Sequence, residues 1–314
     1  KNITIIIYLC FIAILFSVVT IYNNILHVNL SSNLPTIGVI HKNALKKGNK
    51  VLRLDKQEYI SIPSSFIAFL VGLVDGDGYI QVTKTTKGFI AMKLVISLHL
   101  DDLSTLEYIH SVLKIGKITI YKDLRSPTCK LVINKTDLQE IIFPLLIYHN
   151  IFFLTITRRD QFNLAMYIMK NDIKLYNQIP DIKNIPVVFK LPQNSFDYTL
   201  LHFFRNWIVG FTCSEGSFLM KWNNDGCFQL KQRIHTNLFE AFKLIFNTQR
   251  KIGTSDNYSQ FGVSSKGDIQ NVINFFSKSD LHPLVGLKYI QYIKWLNNLR
   301  VSTRYSNLNY PDIN

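Results

Sequence analysis

Residues 66–78 read Phe-Ile-Ala-Phe-Leu-Val-Gly-Leu-Val-Asp-Gly-Asp-Gly, and residues 204–216 read Phe-Arg-Asn-Trp-Ile-Val-Gly-Phe-Thr-Cys-Ser-Glu-Gly. The first run has no polar face before Asp75, and the second has little of one. Each therefore predicts a helix buried on all sides. Placing Asp77 on Glu215 also places Gly72 on Gly210 and Gly78 on Gly216. Ser64 and Ser65 are candidate N-caps for the first helix, and Gly78 is a candidate left-handed stop. A strand follows each stop, over residues 79–84 and 217–222.

Working outward, the correspondence continues in order. Residues 95–99 match 231–235, residues 106–110 match 238–242, and residues 135–139 match 266–270. Arg158 and Gln161 have the spacing of Lys288 and Gln291. An ordered series of matches indicates a duplication. The expected class is α+β, with two halves of α-β-β-α-β-β-α type. Their bounds are residues 61–178 and 199–314. The linker, residues 179–198, holds Pro180, Pro186 and Pro192.

A glycine on a buried helix lets another backbone approach closely. Two such helices packed around a pseudo-twofold axis would bring Asp77 and Glu215 together at their C-terminal ends. The helix dipoles and the mutual repulsion both disfavour that arrangement. A divalent cation removes both objections, and carboxylate and carbonyl oxygens suit Mg²⁺. A lone Asp-Gly-Asp-Gly is commonly just a turn; the second copy makes it a candidate site. Asp75 has Cys213 as its counterpart, so it reads as a helix-end or supporting group. Cys213 reads as a packed small side chain.

The strands alternate. Leu94, Ile96, Leu98 and Leu100 are apolar between Lys93, Ser97 and His99. Ile118 and Ile120 alternate with Lys117, Thr119 and Tyr121. Gln81 and Thr83 oppose Ile80 and Val82, and Lys221 is the matching outward residue after the second motif. Phe228, Leu230 and Ile234 point inward, with Gln229, Lys231, Arg233 and His235 outward. The outward sets carry donors that read groove edges and phosphates. His99 and His235 read as groove or surface residues.

With 35 Lys+Arg against 21 Asp+Glu, the net charge is +14, which points to a polyanionic partner. A hydrophobic content of 47% and an aromatic content of 13% exclude disorder as the main state. The four cysteines form no C-x-x-C pair, so neither a zinc finger nor a disulfide framework is indicated. There is no Walker loop, H-E-x-x-H or G-x-S-x-G. Residues 3–22 carry no charge and are long enough to cross a bilayer. They read either as a membrane span or as the tail of an upstream membrane protein joined in frame and later removed. A signal peptide fits less well. Residues 1–60 are set apart as an N-terminal hydrophobic extension. The first residue, Lys1, suggests a piece of a longer translation product, and abundant Ile and Asn suggest an AT-rich organellar genome.

At these residues LVGLVDGDG (70–78) and IVGFTCSEG (208–216) resemble the two motifs of a double-motif LAGLIDADG homing endonuclease. The extended forms FLVGLVDGDGYI and WIVGFTCSEGSF are similar to fungal mitochondrial intron-encoded members, some of which are RNA maturases. LKYIQYIKWLNNLRVSTRY (287–305) is similar to the end of cytochrome b intron members. The resemblance implies two pseudo-symmetric domains with saddle-shaped antiparallel sheets in a monomer needing no protein partner. It implies metal binding by Asp77 and Glu215 with the carbonyls of Gly76 and Ser214, and Mg²⁺ or Mn²⁺ as cofactor. Arg158 and Lys288 take the positions of basic residues near the scissile phosphates. Gln81, Thr83, Lys93, Ser97, Lys117, Thr119, Lys221, Gln229, Lys231 and Arg233 form the DNA-facing set. The implied activity is a staggered double-strand break at a long site in an intronless allele, promoting intron homing. The implied location is the mitochondrial matrix, with membrane association of a precursor through residues 3–22. The alternative is a maturase that binds its own group I intron RNA and no longer cuts.

Overall fold

The computed structural model describes residues 53–123 and 125–312. A short helix α1 (Lys56–Ser61) precedes α2 (Ser64–Asp77), β1 (Gly78–Lys84), β2 (Ile90–His99), α3 (Leu103–Leu113), β3 (Lys117–Tyr121) and β4 (Thr128–Asn134). A helical stretch over residues 135–148 then ends in α4 (Phe143–Tyr148), and α5 (Ile156–Lys170) closes the first half. After α6 (Ser195–Thr199) the second half repeats the order. It runs α7 (Phe204–Glu215), β5 (Gly216–Met220), β6 (Gly226–Arg233), α8 (Thr236–Ile245), β7 (Gly253–Ser255), β8 (Tyr258–Val263), α9 (Lys266–Phe276) and α10 (Gly286–Val301). The two antiparallel sheets have equivalent orders, β1-β2-β4-β3 and β5-β6-β8-β7. The α+β duplication is therefore present, with one helix more per half than the sequence pattern indicated.

Every residue of α2 from Phe66 to Asp75 is buried. Burial of a large apolar side chain is worth about 1.5–3 kcal/mol, so this uniformly apolar helix is held by packing on all its faces. Its neighbour is α7. A methyl group on Gly72 would overlap the carbonyl oxygen of Trp207 and lie 2.8 Å from the Phe211 nitrogen. The symmetric position behaves alike: a methyl on Gly210 would overlap the Phe69 carbonyl and lie 2.9 Å from the Leu73 nitrogen. The helices thus meet backbone to backbone at two equivalent glycines.

Several sequence expectations are corrected. Ser64 and Ser65 lie inside α2; Pro63 occupies the N-cap, and no side chain caps the helix. Gly78 is extended, with φ −108°, rather than left-handed. Its requirement is steric, because a methyl there would sit 2.8 Å from the Val74 Cα. Ile120 is 41% exposed because β3 is an edge strand, and Ile234 is 48% exposed because β6 ends at Arg233. Neither packs inward.

Part of the expected extension belongs to the folded body. Tyr59 is buried with its hydroxyl on the Leu113 carbonyl (3.1 Å), and Arg53 pairs with Asp137 and Glu140. The linker is packed too. Val188 N donates to Asn163 Oδ1 (3.1 Å), and Phe189 stacks on Phe152. Residues 3–22 lie outside the described residues, among which no helix is long and apolar enough to cross a membrane.

Gly72→Ala or Gly210→Ala should cost about 3 kcal/mol or more, since each added methyl meets backbone that cannot swing aside. Urea denaturation of the full chain measures this, with Gly267→Ala, where a methyl meets nothing, as the control.

Candidate active site

The ends of α2 and α7 lie side by side because the glycine contact sets how closely their axes approach. A methyl on Gly76 would overlap Ser214 Oγ and lie 3.1 Å from Glu215 Cγ. That crowding places the two acid-bearing turns against each other. Asp77 and Glu215 are both partly buried at this junction. Burial pushes Asp77 up to about 6, with Asp102 adding to the effect and Lys288 and Arg158 opposing it. Burial and the neighbouring Asp77 push Glu215 up to about 7, against Gln232, Arg158 and Lys288.

The two basic residues each bond a backbone carbonyl near the end of the motif helix of their own half. Arg158 Nε donates to the Val74 carbonyl at the end of α2 (3.3 Å), and Lys288 Nζ donates to the Gly216 carbonyl just after α7. Arg158 thus adds a second donor to a helix carbonyl that already accepts from Gly78 N, and Lys288 reaches the first carbonyl of β5, so each sets a cation near the negative end of a helix dipole. Burial lowers the pKa of both, and the acids counteract it.

Asp75 carries a supporting role. It is fully buried and accepts from Leu154 N (2.8 Å), Thr155 N (3.2 Å), the Thr155 hydroxyl and Trp207 Nε1 (2.8 Å). Burial raises it to about 6, and these donors offset part of the cost. Asp75 thereby fastens the entry to α5, which carries Arg158, to a tryptophan of the other half. Cys213 is buried and its thiol is pushed up to about 12, as expected for a packed side chain.

Gln232 escaped the sequence reading. Its Nε2 donates to Glu215 Oε1 (2.7 Å) while its Oε1 accepts from Arg233 N (2.8 Å). The signal was available, since Gln232 is a polar residue of inward parity. Gly78 pairs with Ile96 and Gly216 with Leu230, however, so its counterpart is Leu98, and the expected match of 95–99 with 231–235 is out of register by two residues. Gln232 and Glu215 help to bound a pocket of about 270 Å³, together with Gly76, Arg158, Arg233 and His235. His235 is therefore not a free groove residue. Burial lowers its pKa, whereas His99 is exposed, with Nδ1 accepting from Asp101 N.

The outward sheet faces hold most of the anticipated set in register. Gln81, Lys93 and Asn134 align across β1, β2 and β4, and Ser97, Lys130 and Thr119 align across β2, β4 and β3. Thr83 lies exposed near the open end of β1, and Lys117 pairs with Val132. In the second sheet Lys231 faces Gln260, Arg233 faces Tyr258, and Gln260 donates to Gln229 (2.8 Å). Lys130, Tyr258 and Gln260 were not anticipated. Lys221 lies beyond β5, where Nζ donates to Ser264 (3.3 Å). Val95, on the outward side, is only 2% exposed between Tyr79 and Val132.

Among the described residues, no three His, Cys, Asp or Glu side chains gather to hold a metal. The donors that the resemblance implies are the two carboxylates and the backbone carbonyls of Gly76 and Ser214, all oxygen. That fits a Mg²⁺-type ion, which commonly binds through one or two carboxylates, with water and phosphate oxygens filling the other positions.

Comparison with known proteins bears on the fold. Residues 70–152 match the family model described as LAGLIDADG endonuclease. A probable intron-encoded endonuclease aI3 of Kluyveromyces lactis is 27% identical over 72% of this chain, which spans 63% of that relative's length. The protein of the same name from Dictyostelium citrinum is 27% identical over 73% of this chain and 93% of its own. A cox1 intron-2 protein of Schizosaccharomyces pombe is 26% identical over 74% and 64%. Among solved structures, meganuclease I-SmaMI bound to uncleaveable DNA superposes with a TM-score of 0.59 at 17% identity, covering 77% of this chain and 93% of that one. LAGLIDADG meganuclease I-AabMI bound to uncleaved DNA gives 0.54 at 19%, covering 74% and 89%. The fold is that of the LAGLIDADG meganucleases. In sequence the chain is similar, over residues 70–152, to the LAGLIDADG endonuclease family model, and over about three quarters of its length to proteins named as probable intron-encoded endonucleases.

Folding raises the proton affinity of Asp77 and Glu215. Their contribution to the stability of the metal-free protein is therefore full at low pH and is lost as pH rises from about 4 through the folded values. Glu215→Gln should raise metal-free stability at pH 8 by about 1–3 kcal/mol and leave it unchanged at pH 4. Paired denaturation curves check this; an equal gain at both pH values would contradict it.

Proposed function

We propose that the chain is a site-specific DNA endonuclease encoded within an intron, making a staggered double-strand break at a long site in the intronless allele. The observation that carries this reading is the junction of α2 and α7, where Asp77 and Glu215 share one partly buried cluster with Arg158 and Lys288. The outward sheet faces supply Gln81, Thr83, Lys93, Ser97, Lys117, Thr119, Gln229, Lys231 and Arg233 to duplex DNA, with Lys221 at the rim. Both halves lie in one chain, so a monomer presents two pseudo-symmetric reading surfaces.

Asp77 and Glu215, with the carbonyls of Gly76 and Ser214, would hold Mg²⁺ or Mn²⁺, which would supply Lewis-acid activation and charge neutralisation at the phosphodiester. Both acids must be deprotonated for that role, so activity rises with pH as they ionise. Gln232 holds Glu215 in one orientation. Arg158 and Lys288 would stabilise the negative charge that develops on the phosphoryl oxygens. Each strand is hydrolysed directly, without a protein-linked intermediate.

A mitochondrial setting is supported by the cox1 intron name of one relative and by the Ile- and Asn-rich composition. The closing segment favours a cytochrome b intron as host. The intact acid pair favours cutting over the alternative role as a maturase that binds intron RNA.

The full chain, with Mg²⁺ and a duplex spanning the joined exons, should cut both strands. Asp77→Asn or Glu215→Gln should slow cutting on the order of 100-fold or more. Unchanged cutting by either variant would overturn the reading. Stimulated intron splicing without cutting by the native chain would favour the maturase.

A further inference from the structure

The helices that carry the two basic residues begin differently. α5 is entered through Leu154 and Thr155, whose amides rest on Asp75. The corresponding acceptor in the second half would be Cys213, which has no oxygen to offer. α10 has no side-chain cap from its own segment. Instead Asp102, a buried first-half residue just before α3, accepts from Leu287 N through Oδ1 (2.8 Å). The same oxygen accepts from the Thr105 hydroxyl (2.7 Å), which fixes its direction. Gly286 lies against both groups. A methyl there would overlap Thr105 Oγ1 and Asp102 Oδ1, and its φ of +56° is one that glycine adopts without strain. Leu287 immediately precedes Lys288.

We infer that Asp102 is a positioning residue: from the first half it anchors the start of α10 and so sets where Lys288 lies in the second half. A side-chain oxygen that accepts from the second residue of a helix acts as its N-cap, and here that cap is supplied from across the pseudo-twofold axis. The anchor acts through its acceptor oxygen. Both basic stations are then held by first-half carboxylates, Arg158 through Asp75 and Lys288 through Asp102. The inference rests on the proposed nuclease reading for its catalytic consequence, though not for the anchoring itself.

Two measurements on the full chain test it. In the first, hydrogen exchange is followed by mass spectrometry. Asp102→Ala should speed exchange in residues 284–292 roughly 10-fold, with residues 154–160 unchanged, and Asp102→Asn, which keeps an acceptor oxygen, should restore protection. In the second, the exon-junction duplex carries a different end label on each strand. Asp102→Ala should slow one strand roughly 10- to 100-fold, with the other within about two-fold. Asp102→Asn should recover balanced cutting. The inference is overturned if exchange at 284–292 is unchanged in Asp102→Ala, if both strands slow together in a protein that melts normally, or if Asn fails where Ala fails. If the native chain cuts neither strand, the nuclease reading falls, while the exchange result still decides the anchor.

Discussion

The approach of two backbones at Gly72 and Gly210 is the constraint on which the rest of this structure depends. Carbonyl oxygens of Trp207 and Phe69 occupy the space that a side chain would take at those positions. Nothing larger than hydrogen fits there. The contact sets the separation of α2 and α7, and that separation places the last turns of both helices together. Because the acids follow each glycine by five residues, their meeting is a geometric result of where the helices touch.

That meeting is electrostatically uphill for the protein alone. Two carboxylates, two helix C-termini and limited solvent all oppose ionisation. Arg158 and Lys288 compensate in part, each bonded to a carbonyl at or just beyond the end of its own motif helix. The site is thus poised to receive more positive charge than its own side chains supply. The two halves are not equal, however. Glu215 is oriented by Gln232, while the strand register puts buried Leu98, which has no polar group to offer, at the equivalent position of the first half.

The fold was legible because burial leaves strong marks in a sequence. A helix buried all round shows as an unbroken apolar run, and a half-buried strand shows as alternation, so Phe66–Val74 and Lys93–His99 could be placed from composition alone. Asp77 and Glu215 were legible because the repeat singled them out. What escaped was decided by contacts between distant segments. Asp102 looks like an ordinary helix-start acid until Leu287 arrives above it. Gln232 has the inward parity of a core residue and takes its meaning from Glu215. Gly78 was assigned a backbone conformation when its real requirement was clearance from Val74. Ile120 and Ile234 obeyed the alternation but sat where the sheet ends. In each case local pattern gave the facing, and tertiary contact decided the use.

The unequal distribution of buried acids gives the duplication a direction. Asp75 sits in the first motif, Cys213 replaces it in the second, and the substitute holding α10 is borrowed from the first half. Two copies of the first half joined together would each bring their own Asp75 fastening. Two copies of the second would bring none. The descendant halves have become a lender and a borrower, so a second half moved onto a partner without an acid at the place of Asp102 would leave Leu287 N without its acceptor.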